Sequence, residues 1–235
     1  MFGLIKKAKR AIEVFLPTRK SIGSAGANSF IEFPVYMSWP KAVFMEADTR
    51  IRQGCKFLLS SEESITIKKY TVIGMDCTII TNNHRSTVGI PQILLGISGI
   101  NDKKNNLVIN EDVWIGSNVT IVGIKSIGRG AIAGACSTVT HDIPPYALVV
   151  GSPAKIVGVK FTIDQIIEHE KILYPEEERF SREYLEELFN KYYVDKKVYG
   201  VSTKFSKANI ERLEQCVKAR KFSDPNIIER LKKLQ

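Results

Sequence analysis

Little in this sequence lends itself to metal or redox chemistry. Its 235 residues include four cysteines and three histidines. Cys55, Cys77, Cys136 and Cys216 are scattered and form no Cys-x-x-Cys pair. Neither a metal cluster nor a disulfide framework is therefore expected, and a reducing cytoplasm is the default. No apolar run approaches the ~20 residues that span a bilayer, and no signal peptide with a small-residue cleavage site opens the chain. The expected location is thus the cytoplasm. Helix-turn-helix, zinc-finger and RNP-type signatures are missing too, so no nucleic acid partner is expected. Negative charge is in short supply: 25 acidic against 34 basic residues leave a formal +9. That excess suits an anionic partner, either a phosphorylated cofactor or a membrane surface.

What the chain does have is a short rhythm. From Met45 to about Ala154 it reads in sixes: MEADTR, IRQGCK, then IKKYTV, IGMDCT, IITNNH. After a break come INEDVW, IGSNVT, IVGIKS, IGRGAI, AGACST and VTHDIP. The first place is mostly Ile, the second often Gly, the fifth small or β-branched. One hexad arises by chance; eleven in three blocks, six of them consecutive, do not. A period of six marks a solenoid whose coils have three flat faces. One aliphatic residue per face points inward and stacks on its equivalents in the coils above and below. Gly at the second place is expected to supply the backbone freedom of a tight corner. Neighbouring coils bond through parallel ladders, whereas an ordinary sandwich would alternate with period two.

The flanks read differently. MFGLIKKAKRAIEVFLP sets Phe2, Ile5, Ala8, Ile12 and Phe15 at helical spacing beside Lys6, Lys7, Lys9 and Arg10. Such a helix is expected to pack on the end or side of the core. The alternative is a weak peripheral contact of residues 1–16 with the inner face of an anionic membrane. Ser21 to Ser29, small and polar, read as a linker. Residues 85–106 break the period with Gly89, Pro91, Gly96 and Gly99, and insertions in a solenoid often form its binding site. Beyond Val159 helical spacing returns. Thr162 with Gln165 suggests a capping box, and Ser181, Ser206 and Ser223 with Pro225 each open a further helix. In the last of these Ile227, Ile228, Leu231 and Leu234 are apolar. The expected division is a helix and linker (1–29), a repeat domain (30–159) with an insertion (85–106), and a helical region for packing or assembly (160–235).

The stretches VWIGSNVTI (Val113–Ile121), IGRGAIAGACSTVTHDIPPYALVVGSPAK (Ile127–Lys155) and NNH (Asn82–His84) resemble the hexapeptide-repeat acyltransferases. The likeness is greatest to the maltose, galactoside, xenobiotic and capsular-polysaccharide O-acetyltransferases. It implies a mainly β fold, a left-handed parallel β-helix (a triangular solenoid) with an N-terminal helix and a C-terminal α-helical tail. Handedness comes from the resemblance alone, since crossovers are usually right-handed. It also implies a homotrimer, acetyl-CoA as acyl donor with no metal, and a carbohydrate acceptor such as a surface polysaccharide or glycan precursor. By this likeness His84 is the base and the Ser117 backbone N–H supports the oxyanion. Ala135, Thr140 and His141 lie on the cofactor side, and Lys155 meets a phosphate. Three departures stand out. Gly123, Ile124 and Lys125 replace the usual Pro-Gly-Val, implying a bulge or an outward corner. Gly158 replaces a second Arg, which leaves Lys160 as a substitute. NNH differs from the Gly-His-Pro of many sugar acetyltransferases and leaves the acceptor open.

Acyl transfer from a thioester to a hydroxyl needs a base whose pKa lies near the working pH, which imidazole provides. His169 sits between Glu168 and Glu170 and reads as a solvated surface residue, while His141 lies near the last coils. Trp114 either walls the acceptor site or packs against the inserted loop. If the insertion leaves the phase unchanged, Ile79, Ile121 and Val139 share one face and Ile109 and Ile127 another. His84 and Trp114 then leave different corners and would meet only across a subunit boundary. Competing activities are acetylation of an amino sugar, an antibiotic or a serine hydroxyl, or a non-enzymatic role in assembly. A γ-type carbonic anhydrase needs three metal-bound imidazoles, which His84, His141 and His169 do not provide.

Overall fold

The computed structural model describes residues 2–202 and 206–233; Leu234 and the side chains of residues 2–6, Phe2, Ile5 and Lys6 among them, lie outside what is described. Helix α1 (Phe2–Phe15) opens the chain. The first coil follows as β1 (Ser24–Ala25), β2 (Phe30–Ile31) and β3 (Tyr36–Met37). The second is β4 (Val43–Met45), β5 (Arg50–Ile51) and β6 (Lys56–Leu58). The third is β7 (Ile65–Ile67), β8 (Val72–Ile73) and β9 (Thr78–Ile80), after which the insertion carries α2 (Gln92–Ser98). The fourth is β10 (Leu107–Ile109), β11 (Trp114–Ile115) and β12 (Thr120–Val122). The fifth is β13 (Ser126–Ile127), β14 (Ile132–Ala133) and β15 (Thr138–Val139). Each strand joins the sheet of the strand three before it, so successive strands step around three parallel sheets.

The first place of each hexad builds the core. Met45, Ile67, Ile109 and Ile127 pair in register along the first sheet. Ile31, Ile51, Ile73, Ile115 and Ala133 run along the second. Met37, Phe57, Ile79, Ile121 and Val139 run along the third. All are buried, and each large one contributes about 1.5–3 kcal/mol by leaving water. Ile79 pairs with Ile121 across the insertion, so the inserted loop leaves the phase intact and the expected face assignment holds.

The corners obey a different rule from the expected one. Positive φ falls at the fourth place of the hexad: Asp48, Tyr70, Asp112 and Gly130 at one corner, Gly54, Asp76, Asn118 and Cys136 at the next. The second-place glycines serve close approach instead. A Cβ on Gly116 would stand 2.6 Å from the Ala135 nitrogen, and one on Gly74 would stand 2.7 Å from the carbonyl carbon of Gly116. The next coil's backbone leaves room only for hydrogen there. At Gly123 the chain turns out as the sequence implied: Ile124 takes the inward place, and Lys125 is exposed.

Two expectations about the flanks need correction. Residues 21–29 are not a linker but the start of the first coil, because Ser24 pairs with Phe44 while Ile22 and Ser29 are buried. Helix α1 touches the coil edge through Phe15 on Tyr36 (5.2 Å) and Arg10 over Trp39 (5.2 Å). Among its described apolar side chains, Ile12 and Phe15 nevertheless remain 60% exposed each.

After the fifth coil, β16 (Ala147–Gly151) extends the second sheet, β17 (Ala154–Val159) returns antiparallel, and β18 (Lys197–Val198) pairs with β17. Helix α3 (Ile163–Leu173) begins with the capping box of Thr162 and Gln165. Ser181 caps α4 (Arg182–Tyr192) and Ser206 caps α5 (Lys207–Arg220). Ser223 does not cap α6 (Ile227–Lys232), which starts after Asn226; its backbone N–H instead donates to Asp48 at 3.2 Å. The tail is clamped to the coils by one buried cation. Arg129 donates to Glu111 (3.1 Å) and Glu170 (3.2 Å) between the rings of Tyr174 and Phe180.

Candidate active site

The insertion leaves the solenoid at the corner between the third and first sheets. Thr81, just past β9, donates its hydroxyl to the buried Glu63 carboxylate (2.9 Å) and pins the start of the loop. Asn83 and Lys103 then exchange both backbone hydrogen bonds (3.1 and 3.0 Å) and close the loop's neck. This pairing brings Asp102 beside His84: Asp102 Oδ1 lies 2.9 Å from His84 Nδ1. The two differ in solvation, with the His84 side chain 41% exposed and that of Asp102 only 8%. A carboxylate on Nδ1 holds the proton there and leaves Nε2 as the lone-pair nitrogen. Beyond the neck, Leu95 anchors α2 in the interior, while Ile93 and Ile97 are more than 70% exposed.

Trp114 begins β11 on the second sheet, at a different corner from His84, and the residue is 58% exposed. Ser117 follows the same strand. Its hydroxyl accepts from the Met75 N–H (3.3 Å) and its carbonyl accepts from the Cys136 N–H (2.9 Å). Ala135, one coil further, is exposed at the same corner as Ser117. Lys155 lies near it on the β16–β17 hairpin, exposed and, among the described residues, in no ion pair. Thr140 and His141 bond to each other (3.0 Å) past β15, at the corner from which His84 also leaves. The third sheet therefore has His84, Thr140 and His141 along one edge and Ser117, Ala135 and Lys155 along the other. Within one chain these groups do not converge on a single cleft.

Two other expectations fail. His169 is not a solvated surface residue: its Nε2 lies 3.0 Å from Asp112 Oδ2, and its ring packs 5.0 Å from that of Phe161. Lys160 is no free cation either, since its ammonium is 2.6 Å from the same Asp112 oxygen. Burial pushes the Asp112 carboxyl up, but the His169 hydrogen bond and the Lys160 charge outweigh it and hold it below its ordinary value. Gly158 fits closely against β18, where a Cβ would meet Tyr199 at 2.3 Å. Sequence reasoning missed Asp102, which belongs to no motif; only the closed neck of the loop reveals it.

No family model matches the chain. It is 51% identical over 65 residues, 27% of its length, to a chloramphenicol acetyltransferase of Klebsiella aerogenes, of which 30% is covered. It is 34% identical over 104 residues, 42% of its length, to the putative lipopolysaccharide biosynthesis O-acetyl transferase WbbJ of Escherichia coli K12, of which 52% is covered. The chain thus spans about half or less of the curated relatives it matches. Among solved structures it superposes on a hexapeptide-repeat containing acetyltransferase from Vibrio cholerae complexed with acetyl-CoA. There the TM-score is 0.56 and the identity 26%, covering 65% of this chain and 84% of the other. In sequence and in fold, this chain is similar to the hexapeptide-repeat acetyltransferases.

Proposed function

We propose that the protein is an acetyl-CoA-dependent O-acetyltransferase that acetylates a carbohydrate hydroxyl, on a surface polysaccharide or a glycan precursor. The observation that carries it is the His84–Asp102 pair at the neck of the insertion. Asp102 accepts the Nδ1 proton, so Nε2 takes the acceptor's proton as its oxygen attacks. Coenzyme A supplies the activated acetyl group as a thioester. The Ser117 N–H is assigned to the charge that develops on the carbonyl oxygen. Ala135, Thr140 and His141 would line the donor's arm, and the exposed Lys155 ammonium suits a phosphate as a point charge. The carbohydrate acceptor is supported by the likeness to the lipopolysaccharide O-acetyl transferase, and the likeness to a chloramphenicol acetyltransferase names the acceptor to test against it.

We further infer a left-handed coil and a homotrimer, with the division at residues 30 and 160 separating catalysis from packing. Separation of His84 from Ser117 and Trp114 within one chain supports three sites, each shared between neighbouring protomers. The exposed Ile12 and Phe15 beside Lys7, Lys9 and Arg10 support a peripheral place on the cytoplasmic membrane face. No helix among the described residues is long and apolar enough to cross a membrane. A screen of glycans and chloramphenicol as acceptors, following thiol release from acetyl-CoA with His84→Ala as control, tests the activity. His84-dependent transfer to a glycan is expected; transfer to chloramphenicol alone would reassign the acceptor.

A further inference from the structure

A second cleft lies away from His84, where the end of the first sheet meets the helical tail. It encloses about 360 Å³, within the range of small-ligand sites. One wall is aromatic. Phe180 and Tyr184 stand with ring centroids 4.7 Å apart, Tyr192 continues the wall, and Tyr184 is already 40% exposed. The facing wall is polar, with Asn110, Ser126 and Asp142 supplied by the coils. Asp142 Oδ1 accepts from the backbone N–H groups of Lys125 (2.7 Å) and Ser126 (3.1 Å), which fixes its carboxylate at the rim.

The floor decides which ligand fits. Its two cations are already matched: Lys68 lies 3.1 Å from Glu111, and Arg129 bonds to both Glu111 and Glu170. An anion entering here would find no surplus positive charge, despite the chain's +9, and would have to break partly buried pairs. A flat aromatic wall opposite a row of hydrogen-bonding groups instead suits a neutral molecule with an apolar face and hydroxyl edges. That is the surface of a sugar ring. The cleft also stands in line with the loop. β10 (Leu107–Ile109) begins where the insertion returns and is followed directly by Asn110, so strand rise sets the two about 13 Å apart along one face.

We propose that this cleft is a saccharide-binding subsite that holds a neutral stretch of the acceptor away from the bond being made. Its role toward an acceptor rests on the acetyl transfer proposed above; the binding itself does not. Saturation-transfer NMR with maltotriose, triacetylchitotriose and a galactotriose tests it on the wild type, Tyr184→Ala and Asp142→Asn. Asp142→Asn retains the oxygen that accepts from Lys125 and Ser126, and coenzyme A binding checks the fold of each variant. At least one trisaccharide should bind, with at least ~10-fold weaker affinity in both variants, a loss of about 1.4 kcal/mol. Binding by none of the three, or at full strength in both variants, would overturn the assignment. Sugar binding without any acetyl transfer would leave the cleft standing and refute the activity alone.

Discussion

Asp102 Oδ1 sits 2.9 Å from His84 Nδ1, although the two are 18 residues apart and most of an inserted loop lies between them. A half-exposed imidazole held by a nearly buried carboxylate has its ring orientation and tautomer fixed before any substrate arrives. Asp102→Ala should therefore lower kcat by about 10²-fold while leaving the KM for acetyl-CoA unchanged. Steady-state kinetics would check this. A parallel rise in that KM would show that Asp102 merely supports the loop.

The second-place glycines make a paired prediction. Gly116→Ala puts a methyl 2.6 Å from the Ala135 backbone nitrogen, and should cost at least ~2 kcal/mol in urea unfolding. A Cβ on Gly96 in α2 meets nothing within 4 Å. Gly96→Ala should leave the melting temperature unchanged or raise it, because alanine is the better helix former.

Much of this was legible in the sequence, for a physical reason. The inward residues recur at a fixed interval because each coil must stack on the last, so periodicity, with the insertion taken to leave the phase unchanged, located Ile79 opposite Ile121. The corners were harder. Gly at the second place looks like a torsional requirement, but the left-handed backbone falls at Asp76 and Asn118, whose short polar side chains tolerate it. Contacts that join distant segments left no trace. Nothing local ties His169 or Lys160 to Asp112, so His169 reads as a solvated surface residue and Lys160 as a substitute phosphate contact until the tail is seen folded against the coils. Asp102 is hidden for the same reason, since loop closure rather than spacing brings it to His84.

Arg129 is the clamp between coils and tail. Its side chain is 11% exposed, and its removal leaves Glu111 with Lys68 alone and takes the cation from the 1%-exposed Glu170. Arg129→Met should destabilise the protein by about 3–5 kcal/mol, measurable by urea titration of near-UV circular dichroism.

Asp112 gives the tail a defined acid sensitivity. Its carboxyl is held below the ordinary value in the folded protein, so it binds protons more readily when unfolded. Its contribution is complete above the ordinary carboxylate value near pH 4 and is lost as pH falls through the lower folded value. The melting temperature should drop on acidification below about pH 4, and Asp112→Asn should flatten that slope. An unchanged slope in the variant would contradict the assignment.

Sites shared between protomers can be tested by mixing. His84→Ala chains and Trp114→Ala chains, each nearly inactive alone, should regain activity when refolded together, because some interfaces then carry both intact residues. No recovery after demonstrated exchange would argue against sharing.

Whether His84 is the base for acetyl transfer is decided by comparing wild type and His84→Ala for turnover on the best glycan acceptor and for coenzyme A binding by calorimetry. A base at His84 implies that kcat falls by at least ~10²-fold in the variant with coenzyme A affinity unchanged. Near-normal turnover in a folded His84→Ala protein would contradict it.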